Sequence, residues 1–390
     1  MFKVKTLNQI SPVYESILPA DEYEVSAEAQ NAEAILVRSA DMHEMQLDPE
    51  TLCVGRAGAG VNNIPIDRFA EEGVVVFNSP GANANAVKEL VIAALLLASR
   101  DIAGGIEWAK TLKGEGDQVG KLVEKGKKAF VGPELAGKTL GVIGLGEIGA
   151  RVANAGYALD MDVLGYDPYI SVEHAWKLSR AVRPVKQLDE LYEKSDYITV
   201  HVPLLDATRG MFNAEVFAKM KKGAALLNFS RGELVNNADL LQALESGQLR
   251  RYVTDFANDE ILGAKNCVCL PHLGASTPES EDNCVRMVAR QLDAYLKTGA
   301  IVNSVNFPAC DPGPLTHPRV ICLHKNVPNV LGSITSLIAA QGINIENMID
   351  RSKGQHALSV LDLDSAPGDA LLEILKALPN TYRTRLILPQ

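Results

Sequence analysis

No stretch of this sequence is long and apolar enough to cross a membrane as a helix. The longest unbroken apolar run, residues 90–98, is about half of what a span needs. The N-terminal MFKVKTLNQI lacks the apolar core of a signal peptide, so a cytoplasmic location and no membrane partner are expected. Positive charge is also short: 38 Lys and Arg stand against 48 Asp and Glu, a net charge of −10. That balance argues against broad binding to nucleic acid or to a membrane surface, while a local basic pocket remains compatible with it. Paired cysteines of the C-x-x-C kind are missing. Cys53, Cys267, Cys269, Cys284, Cys310 and Cys322 are scattered, and none stands at zinc spacing from a histidine. They read as reduced thiols packed like small hydrophobes, with no metal site.

What is present is an ordinary globular composition, 47% hydrophobic and 22% charged, in 390 residues, enough for about two to three domains. Up to about residue 100, apolar segments (32–39, 51–56, 73–79) alternate with polar helical ones such as 64–72. This is the pattern of an α/β domain with a parallel sheet. The stretch 84–102 reads as one long helix, apolar nearly all round, and so buried at a domain or subunit boundary. A second alternation starts near residue 138, with strands predicted at 139–143, 162–166, 196–201, 224–229, 252–256 and 267–270, and helices between them at 148–160 and 237–249 among others. Six strands with intervening helices suit a Rossmann-type doubly wound sheet. A long amphipathic helix follows at 277–299. Prolines at 308, 312, 314 and 318 then forbid a continuous helix or central strand, so 303–318 reads as a linker. The last seventy or so residues, from Arg319, repeat β-α-β twice, a ferredoxin-like pattern.

Within TLGVIGLGEIGARVANAG (139–156), Gly144, Gly146 and Gly149 fit G-x-G-x-x-G between a strand and a helix. Glycines at this spacing serve a tight turn, backbone approach to a pyrophosphate and close helix–strand packing. The anion would sit at the helix N-terminus. Asp167 ends the next strand, 18 residues past Gly149. A carboxylate there accepts hydrogen bonds from ribose hydroxyls and repels a 2′-phosphate, which favours NAD over NADP.

Three further residues stand at predicted strand ends, where open α/β sheets bind ligands. Arg231, in NFSRGELVN, is a planar cation suited to a bidentate grip on a carboxylate, or else a plain surface arginine. Glu260, in TDFANDE, is either a functional acid or a solvated loop residue. His272, in PHLGAST, is a core or capping histidine or the acid/base of a hydride transfer. Removing hydride from a hydroxyl-bearing carbon needs a base, a cation to position an anionic substrate, and a nicotinamide acceptor. A carboxylate beside the base favours its protonated form and fixes its tautomer. His201, in ITVHVPL, also ends a strand and is the competing base.

Taken together, VGRAGAGVNNI (54–64), FNSPGANANAVKELV (77–91), GVIGLGEIG (141–149), HVPL (201–204), NFSRGELV (228–235) and PHLGAST (271–277) make the chain similar to the D-isomer-specific 2-hydroxyacid dehydrogenases, and to their phosphoglycerate branch, over almost its whole length. The resemblance implies NAD-linked oxidation of 3-phosphoglycerate, the first step of serine synthesis. Its same-class rival is reduction of glyoxylate, hydroxypyruvate or another 2-oxo acid. A rival of another class is a dinucleotide-sensing corepressor. It implies catalytic roles for Arg231, Glu260 and His272. Cofactor contacts fall on Gly144, Gly146, Glu147, Ile148, Gly149, Asp167, His201, Pro203, Phe229, Ser230, Arg231, Asp255, His272, Gly274 and Ala275. Substrate contacts fall on Arg38, Ser39, Gly58, Ala59, Gly60, Asn83 and Arg231.

The implied architecture inserts a Rossmann domain (96–277) into a flavodoxin-like α/β substrate domain (1–95 and 278–303). A linker (304–318) and an ACT regulatory domain (319–390) follow, in a homodimer or homotetramer. In LHKNVPNVLG and QGINI, His324, Asn326 and Asn344 carry over an L-serine effector site. Two departures stand out. Only twelve residues separate Glu260 from His272, and the proline usual after the glutamate is missing, which makes Asp259 a rival to Glu260. Asn329 stands where serine-binding members have glycine, in a turn that asparagine tolerates.

Overall fold

The computed structural model describes residues 1–389. The chain forms two compact units: Met1–Asn83 with Glu281–Gln390, and Ala84–Ser280. No helix among the described residues is long and apolar enough to cross a membrane.

The first segment contributes strands β1 (Phe2–Leu7), β2 (Tyr23–Ser26), β3 (Ala34–Val37), β4 (Cys53–Arg56) and β5 (Val75–Phe77), with helix α1 (Ile66–Glu71) before β5. They form a parallel sheet in the order β2-β1-β3-β4-β5, a doubly wound, flavodoxin-like arrangement. β3 and β5 are buried along their whole length, and β4 in all but its last residue, so they read as continuous apolar runs. β1 and β2 escape the sequence reading because their lysines, glutamate and serine dilute the apolar signal. In β1 only Val4 is fully buried.

The second unit opens on α2 (Ala84–Ser99), which ends earlier than the apolar pattern suggests. Asp101 accepts from the Gly104 N–H and caps a new helix, α3 (Ile102–Thr111). After α4 (Val119–Gly126) comes the second alternation: β6 (Thr139–Ile143), α5 (Glu147–Ala158), β7 (Asp162–Tyr166), α6 (Val172–Lys177), β8 (Arg183–Pro184), α7 (Leu188–Lys194), β9 (Tyr197–Val200), α8 (Ala214–Lys219), β10 (Ala224–Asn228), α9 (Asn237–Glu245), β11 (Leu249–Thr254) and β12 (Cys267–Cys269). The seven-stranded sheet runs β12-β11-β10-β9-β6-β7-β8, the Rossmann order with one extra strand. The extra strand is β12; β8, two residues long and exposed, holds the third place of the Rossmann order and is the strand that the sequence did not signal. The strand order reverses between the parallel neighbours β6 and β9, so the ends of these strands open the crevice in which such sheets bind ligands.

Helix α10 (Pro278–Thr298) leads back to the first unit. The proline-rich stretch has no helix or long strand, yet it is packed down: Phe307 and Cys310 are buried, and Ile301 bridges to Cys310. The tail comprises β13 (Arg319–Lys325), α11 (Val330–Ala340), β14 (Ile345–Lys353), β15 (His356–Leu363), α12 (Asp369–Lys376) and β16 (Thr381–Ile387). Its antiparallel sheet has the order β14-β15-β13-β16, the split βαβ arrangement.

One face of the tail sheet carries α11 and α12 over Val320, Cys322 and Leu361. The other face, with Ile321, Leu323, Leu358 and Val360, joins the core that also holds Cys53 and Tyr295. Arg319 is fully buried, pairs with Asp362 at 2.6 Å, and donates to the carbonyls of Thr298 and Pro312. It ties the end of α10, the proline-rich stretch and the tail together. Asn329 takes a left-handed φ of 70° at the start of α11, so the turn does accept asparagine in place of glycine.

Candidate active site

The three motif glycines answer to three different constraints. Gly144 has φ +87°, and a Cβ there would lie 2.5 Å from the His201 carbonyl oxygen. At Gly149 a Cβ would fall 1.8 Å from the Gly144 oxygen, so the helix can approach the strand only without a side chain. Gly146 has no neighbour within 4 Å of such a Cβ, leaving its outer side free for a ligand. Gly146 is also the N-cap of α5, with no side chain bonded to the first N–H groups. Open N–H groups and the helix dipole make an anion site.

Asp167 follows β7 and is held before any ligand arrives. Its Oδ2 accepts from the Leu145 N–H at 2.8 Å and its Oδ1 from the Tyr169 N–H at 2.9 Å. Each oxygen keeps a further lone pair. Beside it opens a cavity of about 800 Å³, lined by Gly144, Gly146, Asp167, Ile170, His201 and Pro203 among others. That volume suits a nucleotide-sized ligand. Glu147, the first residue of α5, turns its carboxylate away to Lys177 (2.6 Å), His174 (3.2 Å) and Arg151. Partial burial opposes its charge, but the hydrogen bonds from Lys177 and Arg151 outweigh this and hold its pKa at about 2. Ile148 follows on the same helix, half-buried against the core behind the turn.

At the end of β9, the His201 ring has Thr199 Oγ1 3.0 Å from Nε2, and its Nδ1 has no partner. Burial pushes its pKa down to about 3. A ring so disfavoured as a cation is a poor acid/base at neutral pH. Beyond β10, Phe229 is buried and Ser230 donates to the Val200 carbonyl at 2.8 Å. Asn228 donates to the Arg231 carbonyl at 2.8 Å, which fixes the backbone of an otherwise exposed arginine.

The Arg231 guanidinium lies 6.0 Å from the centre of the Phe256 ring, and that ring lies 4.7 Å from the His272 ring. Arg231, Phe256 and His272 therefore form a row across the ends of β10, β11 and β12. Phe256 was not singled out in the sequence, where only its position after a strand could have drawn notice. Asp255, at the end of β11, is buried, and its Oδ2 accepts from the Gly274 N–H at 3.3 Å while Oδ1 has no partner. Burial pushes its carboxyl up, against the pull of His272, the Gly274 N–H and Arg231. Gly274 is buried beneath this carboxylate and Ala275 is half-buried next to it.

Glu260 is exposed and accepts from the Asn237 side chain at 2.6 Å. Among the described residues, neither Glu260 nor Asp259 bonds to His272.

The expected substrate residues other than Arg231 lie in the other unit. Arg38 pairs with Glu281 at 2.5 Å, and the Ser39 N–H donates to Asn8 at 3.2 Å. Gly58, at φ +153°, lies directly under the Arg56 guanidinium, whose Nε has no partner. Ala59 accepts from Asn78 at 2.7 Å, a Cβ at Gly60 would meet only the Asn62 side chain, at 3.7 Å, and Asn83 is half-buried. In the tail, His324 is buried, with Nδ1 2.9 Å from the Lys325 oxygen and Nε2 2.9 Å from Ser359 Oγ. Asn326 and Asn344 are exposed and bond to the Gly354 carbonyl and to Glu346.

Residues 92–274 match the D-isomer specific 2-hydroxyacid dehydrogenase NAD binding domain. The D-3-phosphoglycerate dehydrogenase of Methanocaldococcus jannaschii is 35% identical over 314 residues, which is 78% of this chain and 57% of that protein. D-3-phosphoglycerate dehydrogenase 1 of Saccharomyces cerevisiae is 31% identical over 395 residues, 94% of this chain and 80% of the relative. Several of the curated relatives are longer proteins, of which the chain spans little more than half, 52–57%. The NAD+-bound 3-phosphoglycerate dehydrogenase of Entamoeba histolytica superposes with a TM-score of 0.60 at 25% identity, over 78% of this chain and 98% of that one.

Proposed function

The chain belongs to the D-isomer specific 2-hydroxyacid dehydrogenase family, and from that membership we propose that it oxidises 3-phospho-D-glycerate to 3-phosphohydroxypyruvate with NAD. The observation that carries the chemistry is the row of Arg231, Phe256 and His272 at the strand ends of the sheet that holds the glycine turn. NAD, when bound, supplies the nicotinamide that takes the hydride. The open N–H groups of α5 hold its pyrophosphate, and Asp167 accepts from the adenosine ribose hydroxyls through its remaining lone pairs.

Arg231 grips the substrate carboxylate and polarises the adjacent C–O bond. His272 takes the hydroxyl proton as the carbon gives up its hydride. Phe256 keeps the two at a set spacing and shields them from water. Glu260 is the carboxylate that the family likeness assigns to His272, and it acts on His272 only by leaving Asn237. Asp255 is the carboxylate whose charge already bears on both His272 and Arg231.

Arg38 and Ser39 are the proposed phosphate contacts, with Arg38 released from Glu281 when the phosphate binds. The 35% identity to phosphoglycerate dehydrogenases supports this substrate over an unphosphorylated 2-oxo acid. The split βαβ topology supports an ACT-like role for the tail, with L-serine held by Asn326 and Asn344 and by a His324 that must exchange its present bonds. Pairing through the nucleotide unit or through the tails would give a dimer or tetramer.

The test is an NAD-linked assay on a panel of 2-hydroxy acids with and without phosphate, repeated with serine. Turnover confined to the phosphorylated acid is expected. Preference for glycolate or glycerate would move the protein to the reductase branch. NAD binding without turnover would make it a dinucleotide sensor.

A further inference from the structure

Cys267 and Cys269 are the two ends of the three-residue strand β12, and their sulfurs lie 3.6 Å apart. Residues two apart on a strand point to the same face. Here that face is the one that carries Tyr252. β12 is the edge of the seven-stranded sheet and pairs with β11 alone. The other cysteines, Cys53, Cys284, Cys310 and Cys322, are buried, whereas this pair is partly open to solvent. Among the described residues no set of three His, Cys, Asp or Glu could hold a metal ion, so these thiols are not part of such a site.

We propose that Cys267 and Cys269 are a redox-modified dithiol, oxidised by a small-molecule disulfide to a bond within one strand, and that this bond slows the reaction at His272. The second half rests on the function proposed above. Two steps along an extended strand separate Cα atoms by about 6.6 Å, at the far end of the roughly 4.4–6.8 Å that a disulfide spans. Bringing the sulfurs from contact to a bond of about 2.05 Å therefore buckles the strand. An edge strand of three residues, bonded on one side, can yield.

The chemistry balances with glutathione disulfide as oxidant. Cys269 loses its proton to solvent and attacks one sulfur, releasing a glutathione thiolate. Cys267 then loses its proton and attacks the mixed disulfide, releasing the second. The protein pair gives up two electrons, and glutathione disulfide takes them. Burial pushes both thiols up, Cys267 the more, which makes Cys269 the attacking group.

Two routes lead from this strand to the chemistry. Cys269 is followed by Leu270, Pro271 and His272, a short tether with little slack. Tyr252, paired with Cys267 across the ladder, accepts from Asn228 at 3.2 Å, and Asn228 fixes the Arg231 carbonyl. Buckling β12 thus moves His272 directly and Arg231 through two side chains, those of Tyr252 and Asn228.

The full chain is incubated with glutathione disulfide, its free thiols are alkylated, and its peptides are weighed. The peptide holding Cys267 and Cys269 should lose the mass of two hydrogens and take no alkyl group. C267S and C269S should each instead carry a lasting glutathione adduct or stay alkylated. Two alkylated cysteines in the oxidised wild type, or a lasting adduct there, would overturn the dithiol. Turnover of the oxidised protein should fall by about 10²-fold, the usual scale for an ångström of misplacement, and return with dithiothreitol. It should be unaffected by the oxidant in C269S, which lacks the attacking thiol. Unchanged turnover in a protein shown by mass to be oxidised would overturn the coupling. Absent turnover in the reduced protein would count against the proposed reaction, and the masses would still decide the thiol pair.

Discussion

Gly144, Gly146 and Gly149 build a ligand turn out of backbone, whereas Arg231, Phe256 and His272 meet only through side chains from the ends of different strands. The first region is complete as it stands. Its clashes forbid alternatives, and Asp167 is already tied by two N–H groups. The second region is open: Arg231 and His272 are exposed, and the acid proposed to serve them, Glu260, is bonded to Asn237. A dinucleotide presents the same pyrophosphate whichever substrate is turned over, so a rigid cradle costs nothing in versatility. Substrates differ, and a site of exposed side chains can be completed when the substrate arrives.

Six substitutions, in four tests, break or sharpen this contrast. The largest effect belongs to the open region. His272→Ala should lower kcat by about 10²–10⁴-fold with NAD binding intact by fluorescence titration, and His201→Ala should retain measurable turnover. A fully active His272→Ala protein removes the assigned base.

Next comes the cradle. Gly149→Ala drives a Cβ into the Gly144 carbonyl and should cost about 1–3 kcal/mol of stability, together with NAD affinity. Gly146→Ala meets nothing in the protein, so it should leave the melting temperature alone and raise only the KM for NAD. Equal stability losses in the two would mean that the turn is not built as described.

Asp255→Asn should divide stability from function. The folded carboxyl is raised by burial, so the charged form is disfavoured by folding. Its relative stability is full below the unfolded value and is lost as pH rises through the folded one. The variant should therefore melt higher at neutral pH, by about 0.5–2 kcal/mol of stability, with no gain in acid, while turnover falls. Lower stability at neutral pH would show that the unpaired oxygen is satisfied in some other way.

The smallest effect is expected at Glu147. Its carboxyl is held down at about 2, so its contribution is present above the ordinary carboxylate range and fades as pH falls toward 2. The group is partly exposed and its partners lie at the surface, so screening limits this to about 0.2–1 kcal/mol. Thermal melts of Glu147→Gln against wild type should differ at neutral pH and converge in acid.

Much of the nucleotide side was legible because its signals are local. A strand, a glycine turn, a helix and an acid ending the next strand sit within thirty residues of one another, and each obeys a backbone rule. The open side was legible only in part. Arg231 and His272 stand out by type and position, but nothing near Phe256 says that it will lie between them. That follows from the lateral order of β10, β11 and β12. Glu260 was chosen by its place along the chain, and a hydrogen bond to Asn237, 23 residues earlier, takes its side chain elsewhere. Cys267 and Cys269 were read as scattered thiols because no C-x-x-C is present. Their spacing of two on an apolar strand was the available signal, since it puts both sulfurs on one face.

The tail shows the same limit on a larger scale. Its β-α-β pattern was plain, while the burial of both faces of its inner strands, β13 and β15, was not. The one hint was RVICLH in β13, an apolar run where a sheet with one solvated face would alternate. The sequence by itself determined where strands and helices lie, because periodicity and turn chemistry act over a few residues. It also determined the nucleotide turn, because that turn is made by the absence of side chains. Only the tertiary structure decided which side chains share a strand end, which acid faces which base, and that the tail closes over the first sheet's core. Those outcomes depend on contacts between residues tens to hundreds of positions apart, and no local rule contains them.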